Sequence, residues 1–314
     1  MELYESAIRE CAWCEIPRGV LRAEGADARK WLHKIVTANA EQLPSGSGAH
    51  SALLDAKGHF VADFVLLRDG DIYGLLCDDA ARANLFNALK RYIIREKVTL
   101  MDVTERWTCF VFVGEQAPAQ IERVLDTSAP SQLYAWTWGK VGADKARVIR
   151  MPRARVPAFD VMVPANAAPF LRDALNNVPQ LSDEILETLR VETGQPKWGV
   201  DFDANTLALE IPDVMQIRVD QGCYVGQEVV ARIVHRGHVN RHLRGLWFDA
   251  DALPARGQAI QFNDAEVGSV TSAARSPLFG SIAFGYVRRE VELGAQVNVN
   301  GMLARVVELP FTLP

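Results

Sequence analysis

An α+β fold is predicted for this chain by three features: strand-like apolar runs, amphipathic helices interspersed among them, and a final stretch of short strands punctuated by Gly and Pro. With 314 residues, 49% of them hydrophobic, there is material for roughly two or three domains with real cores. No fixed-period repeat or low-complexity tract interrupts the pattern.

In chain order, "GVLRAEGADARKWLHKIVTAN" reads as strand, turn and helix, with Trp31, Leu32, Ile35 and Val36 on one helical face. "HSALLDAKGHFVADFVLLRDGDIYGLLC" reads as three strands in a meander, turning at "DAKG" and "RDGD". A helix over "DDAARANLFNALKRYI" and strands over "KVTLMDV" and "RWTCFVFVG" follow, and residues 115 to 145 read as loop. "ARVIRMP", "AFDVMVP" and the helix "APFLRDALNN" resume the pattern. In "SDEILETLRVETG", Ser182 with Asp183 and Glu184 makes an N-terminal cap and acidic first turn, and Gly194 a stop. Beyond residue 240 the runs "HLRGLWF", "QAIQF", "EVGSVTSAA", "SIAFGYV", "AQVNV" and "LARVVEL" predict a small β-barrel or sandwich.

Composition narrows the function classes. The first residues lack a basic start followed by an apolar run, and no segment approaches 18 apolar residues, so a cytoplasmic protein without targeting segment or membrane span is expected. Cys77 and Cys109 lie in apolar runs, and five cysteines is an odd count, which fits a reducing compartment. A net charge of −5 argues against direct nucleic-acid binding and makes any anion site local.

Four features carry candidate chemistry. Cys223 in "DQGCYVGQEVVAR" precedes a helix-like run, where a helix N-terminus would favour thiolate; filling a tight turn is the competing role. Cys11 and Cys14 in "CAWC" have redox or metal spacing, but one pair cannot complete a zinc site, so they read as ordinary exposed thiols. From Arg232 to Arg244, four arginines and three histidines form either a rim for a carboxylate or phosphate or a solvated face, and Gly237 interrupts the helix. Glu192, near a helix end, either accepts two hydrogen bonds from an amidine-like ring edge or pairs with Arg190 or Lys197.

"LRVETGQPKWGVDFD", "DQGCYVGQE" and "EVGSVTSAARSPLFGSIAFGYV", with "KWLHKIVTAN" and "ALLDAKGHFVADFVLLR" upstream, resemble the folate-binding family that includes the glycine-cleavage aminomethyltransferase, or T-protein. The Gly-Cys-Tyr-Val-Gly-Gln-Glu block is similar to the signature of its YgfZ-type members, which support iron–sulfur enzyme maturation and affect tRNA modification. The resemblance implies two intertwined α+β units around a central channel, residues 1–48 with 146–240 and residues 49–145, followed by a C-terminal β-barrel at 241–314. It implies tetrahydrofolate in the channel, held by Glu192, Tyr224, Asp63 and Trp198, with Cys223 as the reactive group, no metal, and iron–sulfur enzymes or their assembly factors as partners.

One departure bears on activity. The aminomethyltransferases carry two successive aspartates where this chain has Ala62 and Asp63, and an aspartate near the folate manages protons on the reacting nitrogen. A folate-dependent aminomethyl- or methyltransferase and a non-catalytic, folate-regulated interaction protein therefore stand as alternatives to an iron–sulfur accessory factor.

Overall fold

A computed structural model describes residues 2–212, 217, 223–249 and 251–313. Helix α1 (Glu2–Arg9) leads into strands β1 (Ala12–Ile16) and β2 (Arg18–Glu24), and helix α2 (Ala28–His33) buries Trp31 and Leu32. Strands β3 (Gly48–Leu54), β4 (Phe60–Asp69) and β5 (Ile72–Asp78) form the antiparallel meander that the "DAKG" and "RDGD" turns predict. Helix α3 (Asp79–Arg91), β6 (Thr99–Asp102) and β7 (Trp107–Val113) follow.

Residues 115 to 145 differ from the expected loop. They contain helix α4 (Ala117–Leu125), strand β8 (Trp136–Val141) and the first residues of β9 (Asp144–Arg150). Ala117, Ile121 and Leu125 recur every four residues and are all buried, while proline in the first turn sacrifices no helical hydrogen bond. The chain continues through β10 (Ala158–Pro164), α5 (Ala168–Ala174) and α6 (Asp183–Glu192) to α7 (Gln227–Arg236). The Ser182 hydroxyl accepts the Ile185 N–H at 3.3 Å as N-cap of α6, and Gly194 terminates the segment at φ +68°.

The last strands are β11 (Arg241–Phe248), β12 (Ala259–Phe262), β13 (Ala265–Ser276), β14 (Gly280–Arg288), β15 (Gln296–Val299) and β16 (Met302–Val307). They close into a barrel in the order β11-β14-β13-β12-β15-β16, the barrel alternative of the two that the six sequence runs left open and the one that the family resemblance implies. Gly268 is required there, because a Cβ would stand 1.7 Å from the Tyr286 carbonyl oxygen.

The remaining strands make two five-stranded antiparallel sheets, β1-β7-β10-β9-β8 and β3-β4-β5-β2-β6. They face one another across a core containing Val20, Val65, Leu76, Cys109, Ile149 and Met162. The outer face of the first sheet packs on α4 and α5, and that of the second on α2 and α3. The sheets group the strands differently from the expected division of the chain at residues 48/49 and 145/146. Strand β2 joins the β3–β6 sheet, whereas β7 and β8 join β9 and β10. Pairing follows register across the sheet and not proximity in sequence: β2 lies between β5 and β6, and β7 between β1 and β10.

Candidate functional site

A cavity of about 700 Å³ lies between the two sheets and is closed by α6 and the segment that follows it. Strand alternation decides what reaches it. On β4, Phe60, Ala62, Phe64 and Leu66 pack into the core on the helix side, and Asp63, Val65 and Leu67 project between the sheets. Asp63 lines the cavity, and its Oδ2 lies 3.1 Å from Nε2 of His50 on β3. Ala62 is fully buried, so a carboxylate at that position would not face the same space.

Val65, Leu76, Tyr134, Met151 and Trp198 supply apolar wall. The Trp198 ring stands edge-on to Phe202 at 5.4 Å, which fixes the plane it presents. Arg18 and Arg153 meet on Asp160, whose side chain is wholly buried; Arg153 binds it through two nitrogens, while the Arg18 Nε lies 3.9 Å away. Arg18 also donates to Asp78 at 3.0 Å, yet its buried Nε has no hydrogen-bond partner. Lys197 is exposed and also lines the cavity.

Helix α6 joins the cavity to the barrel. Arg190 grips Glu187 through two hydrogen bonds of 2.6 and 2.9 Å and reaches Asp201 at 2.7 Å. Asp201 accepts in addition from the hydroxyls of Thr271 and Ser272 on β13, at 2.6 and 2.7 Å. Burial pushes the Glu187 carboxyl up, but the Arg190 hydrogen bonds and charge outweigh it and hold the group below its ordinary value.

Glu192, which the resemblance implies as a folate ligand, lies off this cavity. It is buried, accepts from the Tyr4 hydroxyl at 2.8 Å and the Ser276 hydroxyl at 2.5 Å, and does not line the cavity. Burial pushes its carboxyl above the ordinary range, against the opposing effect of those hydroxyls. Helical geometry gives the reason: Glu187 and Arg190 share a face at i, i+3, whereas Glu192, five residues beyond Glu187, turns about 140° away. Glu192 thus ties α1 and α6 to the barrel.

Tyr224 is buried in the core that contains Phe60 and Val230, also away from the cavity lining. Cys223 is exposed, and α7 begins only at Gln227 behind a Gly226 N-cap. The thiol therefore stands outside the first helical turn, where the expected dipole effect would act. Gly226, at φ +84°, lies against the β3–β4 turn, and a Cβ there would meet the Asp55 carbonyl oxygen at 2.4 Å. Asp220 and Gly222 of the same motif lie outside the described residues. Asp63 and Trp198 are thus brought together, and Glu192, Tyr224 and Cys223 are not among the cavity-lining residues.

Residues 18–219 match the family described as GCVT N-terminal domain, and residues 241–312 match the glycine cleavage T-protein C-terminal barrel domain. The chain belongs to the glycine-cleavage T-protein family. This T-protein family member is 25% identical over 307 residues to an aminomethyltransferase of Thermotoga sp. strain RQ2, covering 93% of this chain and 84% of that one. It is 29% identical over 262 residues to the tRNA-modifying protein YgfZ of Escherichia coli O7:K1, covering 80% and 77%. The glycine cleavage system aminomethyltransferase T from Bartonella henselae shares the fold at a TM-score of 0.87 and 19% identity, over 99% of this chain and 89% of that structure.

In this T-protein family member the cavity residues that sequence reasoning missed are His50, Glu187, Arg18 and Arg153. The helical spacing of Glu187 and Arg190 was a readable signal; the approach of Arg18 and Arg153 to Asp160 depends on how the two sheets stack and left none. Among the described residues no cluster of His, Cys, Asp or Glu could hold a metal, and no helix is long and apolar enough to cross a membrane. Cys11 is buried and Cys14 half-buried, correcting the expectation that both are exposed, and burial pushes the thiols of Cys11, Cys14 and Cys77 up to about 12. Brief iodoacetamide treatment of the native protein at mildly alkaline pH should therefore label Cys223 at least about tenfold faster than the other four, read by peptide mass spectrometry. Labelling of Cys11 at a comparable rate would contradict the burial described.

Proposed function

We propose that the cavity binds a reduced folate and that the chain is a YgfZ-type, tetrahydrofolate-binding accessory protein supporting assembly or repair of iron–sulfur enzymes, and through them tRNA modification. The observation that carries the folate reading is the chemistry of the cavity. Its volume suits a drug-sized heterocycle. Asp63 offers the acceptor that an amidine-like pterin edge needs, Trp198, Tyr134 and Met151 offer apolar wall, the orphaned Arg18 Nε offers a buried donor, and Lys197 suits a glutamate carboxylate. Bound tetrahydrofolate would supply a one-carbon carrier. The similarity to the E. coli YgfZ protein and the "GCYVGQE" block support the accessory role. One exposed thiol cannot hold a cluster that normally takes about four, so Cys223 would act as a transient ligand shared with a client.

Titration calorimetry with tetrahydrofolate tests the site. Asp63→Asn should weaken binding about ten- to a hundredfold, because charge-assisted hydrogen bonds worth roughly 1.5–3 kcal/mol are lost. Glu192→Gln should leave affinity within about twofold, since it lies off the cavity and its hydroxyl partners keep an acceptor. Equal affinity of wild type and Asp63→Asn would sink the assignment. The accessory role is tested by complementing a strain that lacks its own YgfZ-type protein, with iron–sulfur enzyme activity as readout and Cys223→Ala as the comparison.

The second reading, a folate-dependent aminomethyltransferase, is favoured by one observation: Asp63 faces the cavity with His50 beside it, an arrangement able to hold a proton near a reacting nitrogen. Robust release of methylene-tetrahydrofolate from aminomethylated lipoyl carrier would put it first. Full complementation by Cys223→Ala would favour the non-catalytic interaction protein.

A further inference from the structure

The connection between α3 and β6 presents an isoleucine to solvent. Ile94 is 81% exposed, far more than any other large apolar side chain described. Its turn is tied down. The N–H groups of Ile94 and Arg95 donate to the Glu96 carboxylate at 2.8 and 2.9 Å. Trp31 Nε1 donates to the Tyr92 carbonyl at 3.1 Å, and Lys97 N–H donates to Asp27 at 2.7 Å. An apolar side chain held out in this way pays little ordering entropy on binding.

Cations are frequent on the segments tied to this turn. Lys30 and Lys34 on and just after α2, Lys90 and Arg91 at the end of α3, and Arg95 and Lys97 on the turn are all exposed. Residues 27–34 and 90–97 together carry seven Lys and Arg against two carboxylates, Asp27 and Glu96, a net charge of +5 over these two segments on a chain of −5, with the Glu41 carboxylate 4.0 Å from His33 as a neighbouring anion. The rest of the molecule is therefore at −10, from the same counts.

We propose that this surface docks an acidic protein segment that lays an apolar side chain against Ile94. An apolar centre within a charged rim is the anatomy of a protein interface, and the sign of the rim selects a carboxylate-rich partner and steers its approach. Single-stranded nucleic acid is less well matched, because Trp31 is buried and Tyr92 half-buried, leaving no fully exposed ring for base stacking. An anionic membrane would attract this patch but repel the remainder of the chain, and one isoleucine gives a weak anchor. The inference is independent of what the cavity binds.

The test uses fluorescence anisotropy of a labelled random copolymer of glutamate and tyrosine, with an oligouridylate and phosphatidylcholine–phosphatidylglycerol vesicles as competing arms. The wild type should bind the copolymer, more weakly as salt rises. The double variant Arg91→Glu, Arg95→Glu should lose about tenfold or more in affinity, and Ile94→Ser at least about threefold. These side chains are exposed, and unchanged thermal unfolding confirms that the fold persists. The proposal is overturned if the copolymer does not bind, if neither variant changes its binding, or if oligouridylate or vesicles bind more tightly through the same residues.

Discussion

Replacing Asp201 with alanine should destabilise the protein by about 3–5 kcal/mol, since removing one partner of a buried ion pair leaves the other charge poorly compensated. The Asp201 side chain is fully buried and accepts from Arg190, Thr271 and Ser272, and from the Lys197 backbone N–H at 2.9 Å. Without it, Arg190 keeps Glu187 and Ser272, while the Thr271 hydroxyl and the Lys197 N–H lose their acceptor. The loss should appear as a lower urea midpoint at unchanged slope. Asp201→Asn, which keeps part of the acceptor set, should lose less. The cavity wall should suffer as well, because Arg190, Gln195 and Lys197 line it and Arg190 also holds the Gln195 carbonyl at 2.6 Å. Acid should weaken the same network in the wild type: the Glu187 carboxyl is held below its unfolded value, so its contribution is present above that value and lost as pH falls through the lower folded one. A midpoint within experimental error of wild type would mean that the network does not couple α6 to the barrel.

What was legible in the chain and what was not follows from the range of each interaction. Period-two runs with Gly and Pro breaks are local, and all six barrel strands and the β3–β5 meander could be read from them. The cap at Ser182 and stop at Gly194 are local too. Sheet membership is not, because β2 pairs with a strand more than a dozen residues beyond the meander's end as well as with the meander itself, and no local pattern encodes that choice. The site divides in the same way. Asp63 and Trp198, each within a short motif, line the cavity. The position of Glu192 off this cavity was not legible, because the motif identifies a helix end without saying which face looks inward, and its partners Tyr4 and Ser276 lie 188 and 84 residues away.

Ala62→Asp tests the alternation of β4 and the enzyme readings at once. Ala62 is fully buried among Phe60, Phe64 and Leu66 on the helix side of the sheet, so aspartate there would place a carboxylate in an apolar core instead of beside Asp63. At neutral pH the expected cost is about 3–5 kcal/mol, combining desolvation with overpacking. The cost should depend on pH with a definite sign. Burial without a partner raises the folded pKa above the unfolded value of about 3.9, so the native state takes up the proton first and the penalty shrinks as pH falls from neutral towards that value, then levels off. Urea unfolding of wild type and variant across this range would show their midpoints converging in acid. Methylene-tetrahydrofolate release should not appear, because the added carboxylate is on the far side of the strand from the cavity. A variant as stable as wild type at every pH and newly active in that assay would place residue 62 on the cavity side and restore the transferase as the leading reading.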